Sequence, residues 1–121
     1  MNKTIMTVDD SVSVRMMVGF SLREAGFEIV EAVNGIDALS KLDEHDINMV
    51  VADVNMPEMD GIEFLRKMRQ HPDHKFTPVV MLTTESHESM KAKGKEAGAT
   101  GWIVKPFKPD QLLNVVRKVL G

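Results

Sequence analysis

Five short apolar runs recur along the chain, each followed by a segment with helical spacing, and this alternation leaves few folds open. The runs are TIMTV at 4–8, EIVEA at 28–32, NMVVAD at 48–53, PVVML at 78–82 and GWIV at 101–104. Several of them are apolar at consecutive positions instead of every second one, the pattern of parallel strands covered on both faces. Between the runs the spacing predicts helices from Ser11 to Ala25, with Val12, Met16 and Phe20 on one face, and from Ile36 to Glu44, with Ile36, Leu39 and Leu42. Three more are expected from Gly61 to Gln70, with Ile62, Leu65 and Met68, from about Ser86 to Ala97, and from Asp110 to Leu120, with Leu112, Val116 and Val119. Gly26 and Gly98 stand where a helix needs a residue tolerant of left-handed geometry in order to stop. Parallel strands joined through helices cross over with right-handed sense. A (βα)5 chain therefore predicts one parallel sheet with helices on both faces, a doubly wound three-layer α/β sandwich.

Size and composition remove several function classes. The 121 residues make room for one domain and one substantial core, so a single domain over 1–121 without a separate output domain is expected. A content of 43% hydrophobic and 27% charged residues is that of an ordinary soluble domain. The net charge of -3 gives no general attraction to a phosphate backbone, and no nucleic-acid partner is expected. With no cysteine, disulfides, thiolate metal sites and a cysteine nucleophile are excluded. The start MNKTIMTVDD lacks the apolar core of a signal peptide, and no run approaches transmembrane length. A cytoplasmic protein with no membrane partner is the expectation.

In doubly wound sheets, ligands sit at the carboxyl ends of the strands, near the point where strand order reverses. The first run delivers Asp9 and Asp10 to that edge, the third Asp53, the fourth Thr83 and the fifth Lys105, while the second ends in Ala32-Val33-Asn34. The stretch VVADVNMPEMDG, Val50 to Gly61, runs apolar residues straight into Asp53. A charge there costs a buried strand stability and so asks for a chemical reason. Three converging carboxylates repel and raise one another's pKa values unless cations are present. Lys105 is one such cation, and an all-oxygen site completed by waters and phosphate oxygens is what Mg²⁺ prefers. A carboxylate nucleophile at Asp53, a divalent metal, the Thr83 hydroxyl and the Lys105 ammonium are together the parts that phosphoryl transfer needs.

These residues resemble the bacterial response-regulator receiver domains. The resemblance spans the whole chain and rests on the Asp9-Asp10 pair, on DVNMPEMDG from Asp53 to Gly61, on Thr83, and on KPF at Lys105 to Phe107. In ending with the receiver, the chain is similar to the stand-alone chemotaxis members of that family. The resemblance implies a flavodoxin-like sheet of order 2-1-3-4-5. It implies that Asp53 accepts a phosphoryl group from a sensor histidine kinase, and that Asp10, Asp53 and the main-chain carbonyl of Asn55 bind Mg²⁺ while Asp9 assists through a water. It also implies that Thr83 and Lys105 contact the phosphoryl oxygens, that the Lys105-Pro106 bond is cis, and that Thr83 and Trp102 form a switch in which the aromatic ring turns inward on activation. The partners so implied are the kinase, a phosphatase, and a downstream target such as a flagellar motor switch or another motility protein. The protein is expected to be a monomer that catalyses its own modification and slow dephosphorylation, not a metabolic enzyme. Thr84 departs from the family pattern, in which the residue after the threonine is usually small.

Other readings share some of these parts. A Mg²⁺-dependent phosphatase with an aspartate nucleophile resembles D-x-D-x-T, in which the second acid exchanges protons. Here that position is Asn55, which has no proton to exchange, and no room remains for a cap domain. A flavin module of the same topology requires a hydroxyl- and glycine-rich loop after the first strand, where the acidic VDDS would repel a phosphate. A phosphorelay intermediate is compatible with every residue named. Taken singly, Asp10 reads as a helix cap, Thr83 as a turn residue and Lys105 as a surface lysine. Glycines 94, 98 and 101 read as a helix end and turn, His71 and His74 in HPDHK as a solvated loop and not a metal pair, and Lys91, Lys93 and Lys95 as a wet helix face, with a partner-contact patch as the lesser reading. The ten methionines read as core filler.

Overall fold

The computed structural model describes residues 3–84 and 88–120. Ten elements alternate along it: β1 (Thr4–Val8), α1 (Val12–Glu24), β2 (Glu28–Ala32), α2 (Gly35–Glu44), β3 (Met49–Asp53), α3 (Gly61–Met68), β4 (Val79–Thr83), α4 (Glu88–Ala97), β5 (Gly101–Val104) and α5 (Pro109–Leu120). The expected start of the fourth helix at Ser86 lies outside the described residues. All five strands pair in parallel in the order β2-β1-β3-β4-β5. This is the doubly wound, flavodoxin-like sheet.

Strand sequence and strand position agree. Strands β3 and β4 are buried at all their positions, which is why MVVAD and VVMLT read as nearly unbroken apolar runs. The edge strands β2 and β5 stay partly open. Along β3 the side chains alternate between two cores. Val50 and Ala52 join Ala38 and Leu42 of α2 and Phe64, Leu65 and Met68 of α3 on one face of the sheet. Met49 and Val51 join Val18 and Leu22 of α1 and Leu112 and Val116 of α5 on the other. Capping follows the sequence locally: Asn34 accepts from the Asp37 N–H at 2.7 Å and Asp60 from the Glu63 N–H at 2.8 Å, each opening a helix. Gly26 and Gly98 take φ values of 98° and 105°, which end α1 and α4 as expected. Helix α3 stops at Met68, two residues short of the expected Gln70, because Arg69 caps it.

Several expectations need correction, beginning with Ile36, which is 52% exposed while Leu39 and Leu42 of the same expected face pack inward. Val12, Met16 and Phe20 do share a face of α1, but that face is turned to water, with Met16 at 66% exposed. The core face carries Val18 and Leu22, with Val14 partly buried beside them. Residues two apart on a helix lie about 200° apart; α1 thus has apolar stripes on nearly opposite sides, and spacing alone does not say which one the sheet covers. His74 is not solvated: it is 4% exposed, with Nδ1 on the Thr77 hydroxyl at 3.0 Å and Nε2 on the Leu42 carbonyl at 3.3 Å. Gly94 belongs to the interior of α4, not to a turn. Among the methionines, Met6, Met49, Met56, Met68 and Met81 are core residues and Met16 is not. Among the described residues no helix is long and apolar enough to cross a membrane.

Candidate functional site

Strand order brings the acids together. The chain leaves β1 for β2 on one side and then crosses to β3 on the other, so strand order reverses at β1 and β3. Val8 lies level with Ala52 in that pair, and the next residues out, Asp9 and Asp53, emerge side by side. Thr83 lies level with Val104, which places Lys105 one residue beyond at the same edge. All of these are the residues that the sequence delivers to the carboxyl ends of the strands.

Local structure then fixes each of them. The Asp9 N–H donates to the Ala32 carbonyl at 3.2 Å, the Asp9 carboxylate accepts from the Ser11 N–H at 2.9 Å, and Arg15 Nη1 donates to the Asp9 carbonyl at 2.6 Å. Ser11, not Asp10, caps α1, accepting from the Val14 N–H. Asp10 is exposed and is left available for another task. The Asn55–Asp60 loop returns tightly: the Gly61 N–H donates to the Val54 carbonyl at 2.8 Å, and a Cβ on Gly61 would run into the Asp53 carbonyl. Glycine is required there by close approach. The Lys105-Pro106 bond is cis, as expected.

The electrostatics are those of a site short of positive charge. Asp9, Asp10 and Asp53 each offer a carboxylate oxygen, and these oxygens lie within 4.8 Å of one another. Asp9 is 1% exposed and Asp53 4%. Lys105 Nζ bridges the two buried acids, 3.3 Å from Asp9 Oδ2 and 3.2 Å from Asp53 Oδ1. Burial pushes the Asp53 carboxyl above the ordinary aspartate value, and the neighbouring charge of Asp9 adds to the rise. Lys105 and the Asn55 N–H pull the other way without cancelling it. A donor set of carboxylate oxygens beside a backbone loop, with one ammonium for three acids, fits a hard divalent cation.

Thr83 is fully buried at the end of β4, and Thr84 beside it is exposed. Asn55 is exposed two residues beyond Asp53. Trp102, level with Met81 across the β4–β5 pair, packs toward α4 and not into the acidic cluster. One contributor was not apparent in the sequence. Arg15, with its side chain 12% exposed, holds the Asp9 carbonyl from inside α1 and pairs with Glu31 at 3.4 Å; its only sequence signal is an arginine on the first turns after the acidic pair. Gly61 stood in the DVNMPEMDG motif, and the structure adds the reason for a glycine there, its close approach to the Asp53 carbonyl.

Residues 5–117 match the family described as "Response regulator receiver domain". The chain belongs to the response regulator receiver family. This receiver is 44% identical to the chemotaxis protein CheY4 of Vibrio cholerae, with a TM-score of 0.96 over 99% of this chain and 100% of that one. It is 38% identical over 120 residues to the transcriptional regulatory protein SrrA of Staphylococcus aureus, covering 99% of this chain and 48% of SrrA. The chain thus spans about half the length of the curated relatives it matches. The receiver domain of the sensor histidine kinase PA1611 of Pseudomonas aeruginosa, 21% identical, shares the fold at a TM-score of 0.91 over 100% of this chain and 99% of that one, and that structure has a magnesium ion coordinated in its active-site cleft. Receiver domains are signalling phosphoacceptors of two-component systems, and they bind Mg²⁺ at an acidic pocket such as the Asp9, Asp10 and Asp53 cluster.

Proposed function

We propose that this receiver takes a phosphoryl group on Asp53 from a sensor histidine kinase in the cytoplasm and then binds a motility protein, such as a flagellar motor switch, as a monomer. The observation that carries the reading is the Lys105 ammonium lying between Asp9 and Asp53 in a cluster where the acids still outnumber it. In the transfer, an Asp53 carboxylate oxygen forms a bond to phosphorus as the phosphorus–nitrogen bond to the donor histidine breaks. Asp10, Asp53 and the Asn55 carbonyl would hold Mg²⁺, with Asp9 assisting through a water, and the bound metal would supply charge stabilisation for the phosphoryl oxygens. Lys105 and the Thr83 hydroxyl contact those oxygens, and Trp102 responds to Thr83. Asn55 supplies no titratable proton where a phosphatase would carry its second acid, which favours a persisting acyl phosphate over turnover. Similarity to CheY4 over that protein's whole length supports the motility reading. The match to half of SrrA supports a second one, in which the same phosphoacceptor chemistry serves transcriptional control.

The test is acetyl phosphate with Mg²⁺, read by intact-protein mass. Wild type gains one phosphoryl group and Asp53→Asn gains none, since an amide is not a nucleophile toward phosphorus. A gain at wild-type yield in the variant contradicts the assignment.

A further inference from the structure

Two costs meet on one ring. Gly94 is a buried position in the interior of α4, where glycine is less favourable than alanine. A Cβ there would lie 2.7 Å from Cζ3 of Trp102 and 3.3 Å from Cε3. The benzo edge of the indole therefore occupies the space that a side chain on α4 would fill. On the other side of the same ring, Nε1 is buried and has no hydrogen-bond partner among the described residues. Buried donors are nearly always paired, so an unpaired one calls for an explanation. Lys91, Lys95, Ala99, Thr100 and Gly101 surround the groove beside the ring. Helix, ring and strand end are thus in direct contact along one side of the sheet.

We infer that Gly94 is a seat cut into α4 for the Trp102 indole, a positioning residue that makes α4 and the ring shift together when Asp53 is phosphorylated. An alanine at position 94 in an ordinary helix would stabilise it; here it meets the ring first. With the indole seated, the ring cannot turn without leaving the helix or moving it, and the unpaired N–H makes the seated state easier to leave. The coupling rests on the phosphoacceptor role proposed for Asp53, whereas the seat itself does not.

The experiment uses the full chain and separates the two. Gly94→Ala is made in wild type and in Trp102→Leu, and thermal unfolding is followed by circular dichroism. With Trp102 present the substitution lowers Tm by about 4 °C. In the Trp102→Leu background, where no ring meets the new methyl group, the same substitution raises Tm. A rise in both backgrounds overturns the seat. Should the leucine background not fold, the emission of Trp102, the chain's one tryptophan, decides the point: Gly94→Ala shifts it, and an unshifted maximum overturns the seat. For the coupling, each protein is treated with Mg²⁺ and acetyl phosphate, with uptake read by mass. Wild type changes its emission on phosphorylation, and Gly94→Ala, equally phosphorylated, changes it less. An equal change in both, or none in wild type, overturns the coupling. Failure of wild type to take up phosphoryl overturns the proposed function and the coupling with it, and the sign of the Tm change then decides the seat by itself.

Discussion

The two edges of the sheet treat polar groups in opposite ways. Where the strands begin, Arg69 donates to the carbonyls of Thr77 at 2.6 Å, Gly98 at 2.7 Å and His74 at 3.2 Å, tying the end of α3 to the loops before β4 and β5. Buried His74 spans the Thr77 hydroxyl and the Leu42 carbonyl, and His71 reaches Asp43 at 2.8 Å. Where the strands end, three carboxylates gather beside one lysine that pairs with two of them, and the buried Asp53 is held above its ordinary pKa. One edge closes its polar groups on themselves; the other leaves charge to be completed from outside. The same backbone layout supports both, which locates stability and chemistry at opposite ends of the strands.

The largest expected effect is on the closed edge. Arg69→Met removes the donor to three backbone carbonyls and is expected to cost about 3 kcal/mol in urea unfolding, since unpaired buried acceptors carry a desolvation penalty. Phosphorylation of the folded variant by acetyl phosphate should match wild type. A loss of less than about 1 kcal/mol would mean that the edge is not closed in the sense described.

Asp53→Asn should act in the opposite direction, raising Tm at neutral pH without Mg²⁺ by less than the Arg69 change lowers it. The folded pKa of Asp53 lies above the unfolded 3.8, so in the window between the two values the folded state holds more protons. Stability of wild type therefore falls as pH rises through that window. The amide escapes this fall. Its advantage should be absent below the unfolded pKa, grow across the window and level off above it, as Tm measured against pH would show. An advantage that is largest in acid would contradict the electrostatic explanation.

The smallest change is Thr84→Ala, at an exposed side chain beside Thr83. Stability should stay within about 0.5 kcal/mol, while the acyl phosphate, followed by mass against time, should decay faster as water gains access. An unaltered or longer lifetime removes Thr84 from the site.

Much of the open edge was legible because its residues are placed by strand ends. Asp9, Asp53, Thr83 and Lys105 each stand at the end of an apolar run, with Asp10 one residue on, and parallel strands of similar length bring such positions to one edge without further information. The closed edge was not legible, since it depends on side-chain reach and loop path. Nothing in HPDHK tells that His74 turns inward to the Leu42 carbonyl while His71 takes Asp43, nor does RQHP tell that Arg69 spans to Gly98, 29 residues on. The face of α1 failed for a different reason: both Val12-Met16-Phe20 and Val14-Val18-Leu22 have the right spacing, and only packing against β2 and α5 selects the second. Gly94 looked like turn punctuation because its reason, the Trp102 ring, comes from another element.

That the open edge lacks positive charge, and that Asp53 bears the consequence, is open to direct measurement. A ¹³C NMR titration of the Asp53 carboxyl in the otherwise intact protein, without and with Mg²⁺ and assigned through Asp53→Asn, reads it. The expected result is a pKa above the ordinary aspartate value of 3.8 without metal and a fall when Mg²⁺ is added. A pKa at or below 3.8 in the metal-free protein, or one that Mg²⁺ leaves unmoved, would show instead that the acids of this edge are already balanced.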